Sequence, residues 1–134
     1  MTATDRAPMG LDRAEVLGAF EALHGKNNNW DEWVEFFTDD CVWTNSMLPE
    51  PIRGKTALRE FARSWPTTLV NNPEWIAIDG DRVAFAWTEW RGEGGPALRG
   101  FSTFVYAGDG LFSSYEGMFD TAAIPPEWLV EPGS

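Results

Sequence analysis

Apolar side chains recur at helical spacing in the first half of the chain and at a spacing of two in the second, and this change of period predicts the order of elements. Val16, Phe20 and Leu23, widened by Leu17 and Ala19, mark a first helix that ends at Gly25 and the Asn27-Asn28-Asn29 run. Asn29 then caps a second helix, with Glu32 at capping-box distance and Trp30, Trp33, Val34 and Phe37 as one stripe. Asp40 to Asn45 reads as a short strand. Pro49, Pro51 and Gly54 force a loop before a third helix, whose face is Leu58, Phe61, Ala62 and Trp65 and whose stop is Pro66.

Beyond Pro66 the strands begin. Glu74 to Ile78 runs through Asp79-Gly80, a hairpin signal, into the alternating segment Arg82 to Arg91. Gly92 to Pro96 separates it from Ala97 to Tyr106, and Asp109-Gly110 turns the chain into a last strand, Leu111 to Asp120. Helices first and an antiparallel meander afterwards predict an α+β fold with the helices laid on one face of a strongly bent sheet. Residues 1–10 and 121–134 read as arms on a single domain whose folded core is about 11–120.

Composition narrows the partners. The 134 residues carry 21 acidic and 10 basic side chains, a net charge of −11, which disfavours nucleic acid and anionic membranes as partners. A single cysteine, Cys41, permits neither an intrachain disulfide nor a thiolate zinc cluster. No signal peptide or membrane-length apolar run is seen, and a cytoplasmic protein is expected. Eight tryptophans in so short a chain are the unusual feature.

The order of elements, the segment FTDDCVWTNSMLPEPIRGKTALREF and the closing YAGDGLFSSYEGMFD resemble the nuclear transport factor 2-like superfamily, in particular its SnoaL-like branch, over about residues 11–120. The resemblance implies a cone-shaped α+β barrel with an apolar cavity between the curved sheet and the helices packed on its concave face, often as a homodimer. Its members include polyketide cyclases, ketosteroid isomerases, epoxide hydrolases and dehydratases, besides proteins with no catalysis. Against ketosteroid isomerases, the general base falls on Asn45 and the oxyanion-binding tyrosine and aspartate near Phe20 and Ser102, none of which can do the same work. Against limonene epoxide hydrolases, Trp43 and Asn45 take the water-holding positions, Trp87 and Glu89 those of an arginine and an aspartate, and Gly117 that of the water-activating aspartate; Glu116 and Asp120 lie close enough to compensate.

Strand parity picks out the candidates for chemistry. If Val83 and Phe85 face the interior, Trp87 and Glu89 do too, and a carboxylate among aromatic rings is expected to rise in pKa toward the range of general acid-base catalysis. The bland alternative puts Glu89 at the wet rim, paired with Arg91. Arg99, sharing a face with Phe101 and Thr103, is either an electrostatic partner of Glu89 or part of a surface ion pair. Asn45, beside Trp43, either orients a ligand or water or bonds to the Met47-Leu48-Pro49 loop. Tyr115 is a candidate donor, and Gly117 is expected to widen the cavity. Phe20, Phe61, Phe85, Phe101, Trp43 and Trp87 are expected walls, while Trp128 could cover the mouth.

His24, at the end of the first helix, is expected to complement the helix dipole near solvent. The GEGG run at 92–95 lacks the lysine and helix of a phosphate loop. No metal or cofactor is expected. The expected function is cofactor-free isomerisation, cyclisation, dehydration or epoxide-type hydrolysis of a hydrophobic, aromatic or polycyclic small molecule. The alternatives are a non-catalytic binding protein for a hydrophobic metabolite and a sheet face serving chiefly to build a homodimer.

Overall fold

A computed structural model of the chain describes residues 12–26, 29–64, 69–91 and 97–124. The expected arm 1–10, the helix stop at Trp65 and Pro66, the 92–96 loop and Trp128 lie outside them.

Helix α1 runs Arg13–His24, opened by Asp12, whose Oδ1 accepts the Glu15 N–H at 2.7 Å. Its buried residues are the predicted ones, Val16, Phe20 and Leu23. The cap at Asn29 also forms: its side chain accepts the Glu32 N–H and its amide bonds the Glu32 carboxylate. Helix α2 is shorter than its stripe suggests. It covers Trp30–Trp33, continues as a 3-10 turn over Val34–Phe36, and Phe37 already belongs to strand β1, Phe37–Asn45. The stripe is buried nonetheless, because the 3-10 turn still points Val34 inward and the first strand residue delivers Phe37 to the same core. After the short strand β2, Ile52–Arg53, Gly54 opens helix α3, Lys55–Ala62, at φ 91°, a conformation that favours glycine.

Strands β3 (Leu69–Asp79), β4 (Arg82–Arg91), β5 (Ala97–Gly108) and β6 (Leu111–Phe119) follow as an antiparallel meander. Gly80 and Asp81 join β3 to β4. Asp109 and Gly110 join β5 to β6 with φ 55° and 77°, the two left-handed residues of a type I′ hairpin turn. The complete sheet is curved and open, in the order β2-β1-β6-β5-β4-β3, and β1 lies parallel to β6, so the sheet is mixed where a purely antiparallel one was expected. The parallel pair is possible because helix α3 and the meander carry the chain from β1 across the sheet and back to its side.

The helices close the concave face. Phe20 of α1 meets Phe85 edge-on at 5.0 Å and Phe104 at 5.9 Å, and Trp33 meets Phe37 and Trp43. Side chains of this size each contribute about 1.5–3 kcal/mol on full burial, so this aromatic layer is the main hold of helices on sheet. Tyr106 adds a polar tie: its hydroxyl donates to Glu15 Oε2 at 2.7 Å and accepts the Gly110 N–H at 2.8 Å. Among the described residues no helix is long and apolar enough to cross a membrane.

Candidate functional site

Inward positions of four neighbouring strands meet at the middle of the concave face. On β4 these are Val83, Phe85, Trp87 and Glu89; on β5, Leu98, Gly100, Ser102 and Phe104; on β6, Tyr115, Gly117 and Phe119; on β1, Trp43 and Asn45. Register sets them side by side. Trp43 pairs with Tyr115, Asn45 with Gly117, Gly117 with Ser102, and Ser102 with Phe85.

The polar groups on this surface form two short chains. In the first, Trp87 Nε1 donates to Ser102 Oγ at 2.7 Å, and Ser102 Oγ lies 2.9 Å from the Tyr115 hydroxyl. Ser102 has no accessible surface. Tyr115 is half-buried, stacked on Trp43 at 4.4 Å and 13°, and met edge-on by Phe104. Burial pushes its phenol well above the ordinary tyrosine value, the Ser102 hydrogen bond pulls the other way, and the nearby Glu89 charge raises it further.

The second chain holds Glu89. Its carboxylate is half-buried and accepts from Asn71 Nδ2 at 3.2 Å. Asn71 reaches it because of a bulge: Pro73 pairs with Trp87 and Trp75 with Ala86, so Glu74 is an extra residue in β3. An unbroken register from the Asp79–Arg82 pair would have set Asn72 opposite Glu89; the bulge sets Asn71 there instead. His24 completes the group. Its ring stacks on Phe20 at 5.8 Å and meets Phe85 edge-on, and burial pushes its pKa down against a hydrogen bond to the Asn71 backbone. The expected solvent-facing position is therefore corrected: four residues after Phe20, His24 lies on the buried stripe of α1.

At Arg99 and Asn45 the structure takes one of the two readings left open, and at Phe101 and Gly117 it corrects the expectation. Arg99 stands on the outer face, its side chain 77% exposed, with Glu74 Oε1 at 2.8 Å. Its register partner is Thr88, while Glu89 faces Leu98, so Arg99 and Glu89 point to opposite sides of the sheet. Phe101 shares that outward parity and packs on Trp75 at 5.6 Å. Gly117 opens no room, because a Cβ built there would lie 2.5 Å from the Tyr115 hydroxyl: the phenol leans along its own strand and fills the place. Asn45 uses its Oδ1 to accept the Met47 N–H at 2.9 Å, which closes the turn after β1.

The remaining candidates form walls. Trp43, Phe20, Phe85 and Trp87 are buried, and Phe61 packs on Trp43 at 5.6 Å. Glu116 and Asp120, proposed substitutes for an acid at 117, are exposed, and Asp120 caps the 3-10 turn that follows β6. Among the described residues no three His, Cys, Asp or Glu side chains gather as a metal site requires. Asn71 is the polar residue that sequence reasoning passed over, while Ser102 and His24 were weighed there and given no part in the site.

The model of the SnoaL-like domain family matches residues 16–115. The chain belongs to that family. No curated protein matches it. Among solved structures, the SnoaL-like chain is similar to SalBIII, described as an epoxide hydrolase/cyclase-like enzyme in pyran ring formation in the polyether salinomycin. That match has a TM-score of 0.71 at 18% identity and covers 84% of this chain and 95% of the other. A putative ketosteroid isomerase from Kribbella flavida matches with a TM-score of 0.64 at 24% identity, covering 89% and 87%. A computationally designed 17-OHP binder matches with a TM-score of 0.69 at 17% identity, covering 81% and 93%. At these identities the likeness is one of fold, and a SnoaL-like fold serves enzymes and plain binders alike.

Proposed function

We propose that this SnoaL-like protein binds a small, largely apolar molecule in the concavity of its sheet and carries out cofactor-free acid-base chemistry on it. The reaction class is isomerisation, cyclisation, dehydration or epoxide-type opening. The observation that carries this reading is the turn of Glu89 into the same interior as Tyr115, where its charge is felt by the phenol. Tyr115 is desolvated by the rings around it and keeps part of its surface accessible. In this reading Glu89 moves the proton, Asn71 holds the carboxylate, Tyr115 holds the ligand, and Trp43, Trp87, Phe61 and Phe85 supply apolar contact.

The direct test is product formation from a panel of hydrophobic epoxides and unsaturated ketones, followed by mass spectrometry. A single proton-transfer group contributes typically about 10²- to 10⁴-fold, so Glu89→Gln should lower turnover by that order with ligand affinity retained. Equal turnover in the mutant removes Glu89 from the mechanism. Binding without product in the wild type leaves the family's other role, a metabolite-binding protein.

We also propose a homodimer through the outer face of the sheet. Trp75 is 50% and Met118 39% exposed, and both adjoin Phe101. The neighbouring Arg99–Glu74 pair offers both signs of charge, as a two-fold interface with itself requires. Sedimentation equilibrium should show a dimer that Trp75→Glu converts to monomer; a monomeric wild type removes the proposal.

A further inference from the structure

We propose that Trp87 and Ser102 aim the Tyr115 hydroxyl proton into the concavity, making it a donor for a neutral oxygen acceptor, a carbonyl, epoxide or ether oxygen, on a flat apolar ligand. The direction of the chain follows from what each atom can do. An indole N–H only donates, so Ser102 Oγ is the acceptor of the 2.7 Å bond from Trp87. Ser102 is wholly buried, and among the described residues its hydroxyl has one other hydrogen-bond partner, the Tyr115 oxygen at 2.9 Å. Were Tyr115 to donate to Ser102, the serine proton would have nowhere to go in a dry interior, which is costly. The serine therefore donates to the phenol oxygen, and the phenolic proton points away from Ser102.

Three donors in series polarise one another in the same sense, so the last is the strongest at a growing negative charge. The carboxylate of Glu89 nearby selects against anionic ligands and leaves neutral acceptors. Trp43, parallel to the Tyr115 ring, supplies a flat wall beside the donor. Gly117 is part of the device: without its lack of a side chain the phenol would not reach Ser102. The inference rests on the concavity being a ligand site, not on any reaction at Glu89, so binding tests it and turnover tests the function proposed above.

The probes are a matched pair, 2-acetonaphthone and 2-isopropylnaphthalene, alike in size and differing in the carbonyl. Quenching of tryptophan fluorescence should show the ketone bound about tenfold more tightly by the wild type, the worth of one good hydrogen bond. Tyr115→Phe should abolish the preference. The carbonyl stretch of the bound ketone should shift back toward its free frequency in Ser102→Ala and stay displaced in Ser102→Thr. No ketone preference in the wild type, a preference that survives Tyr115→Phe, or a carbonyl stretch indifferent to Ser102→Ala overturns the proposal. Should Ser102→Ala fail to fold, the paired probes on Tyr115→Phe decide it.

Discussion

Replacing Gly117 by alanine tests the packing at the centre of the site. The backbone offers no objection, since Gly117 is not among the residues with positive φ. Alanine in a strand interior gains about 0.5–1 kcal/mol over glycine from the lower entropy of its unfolded chain. Against this, the new methyl lies 2.5 Å from the Tyr115 hydroxyl and 3.1 Å from Cε1 and Cζ, so the ring must swing away. Doing so breaks the bond to Ser102, about 0.5–1.5 kcal/mol. It also breaks the stack on Trp43, worth about another 0.5–1.5 kcal/mol. The loss of roughly 1–3 kcal/mol exceeds the gain, and the substitution should destabilise the wild type. In a Tyr115→Ala background nothing remains to displace, and the same change should stabilise. Urea unfolding of the four proteins in this cycle, followed by tryptophan fluorescence, gives a coupling of about 1–3 kcal/mol with a reversal of sign. The same cost in both backgrounds would show that Tyr115 does not occupy the space above Gly117, and the donor chain through Ser102 would fall with it.

Gly100→Ala should cost more, about 3 kcal/mol or above, because its methyl would overlap Trp87 Cζ2, lie 2.5 Å from Cη2 and sit 2.8 Å from the Met118 carbonyl oxygen, groups fixed by burial and backbone; thermal unfolding reads this as a large fall in Tm. His24 should make stability pH-dependent near neutrality. Its folded pKa lies below the ordinary 6.5, so the unfolded chain binds the proton first, and stability present above that value is lost as pH falls through 6.5 toward the depressed value; His24→Gln should flatten the slope between pH 7.5 and 5.5. Arg99→Ala removes an exposed, solvent-screened ion pair and should leave unfolding and ketone preference nearly unchanged.

Periodicity made most of the architecture legible. Val16, Phe20 and Leu23, the Asn29–Glu32 cap and the glycine turns at 80 and 110 act locally, and local signals survive in a single sequence. Long-range pairing does not. Nothing near Phe37 announces that β1 will lie parallel to β6, and nothing near Pro73 announces the bulge. Parity along one strand was enough to group Glu89 with Val83, Phe85 and Trp87. Parity could not tell which face of β5 holds Arg99, because that depends on the register across a 92–96 connection whose geometry the sequence leaves open. One residue of slip there exchanges Arg99 and Phe101 for Ser102 and Phe104 as the inner set.

The same open register hid the inward turn of Ser102. Matched against ketosteroid isomerases, it stands where an acid is missing, and matched against limonene epoxide hydrolases Gly117 stands where another is missing, so the chain reads as a site stripped of its chemistry. The structure joins the two losses. The empty place at 117 is what lets Tyr115 lean along its strand, and the small hydroxyl at 102 is what it leans toward. Restoring a carboxylate at either position would collide with the phenol or set a charge against a hydroxyl already held neutral by burial. A donor chain built on tyrosine and a carboxylate at 102 or 117 are thus alternatives at one location.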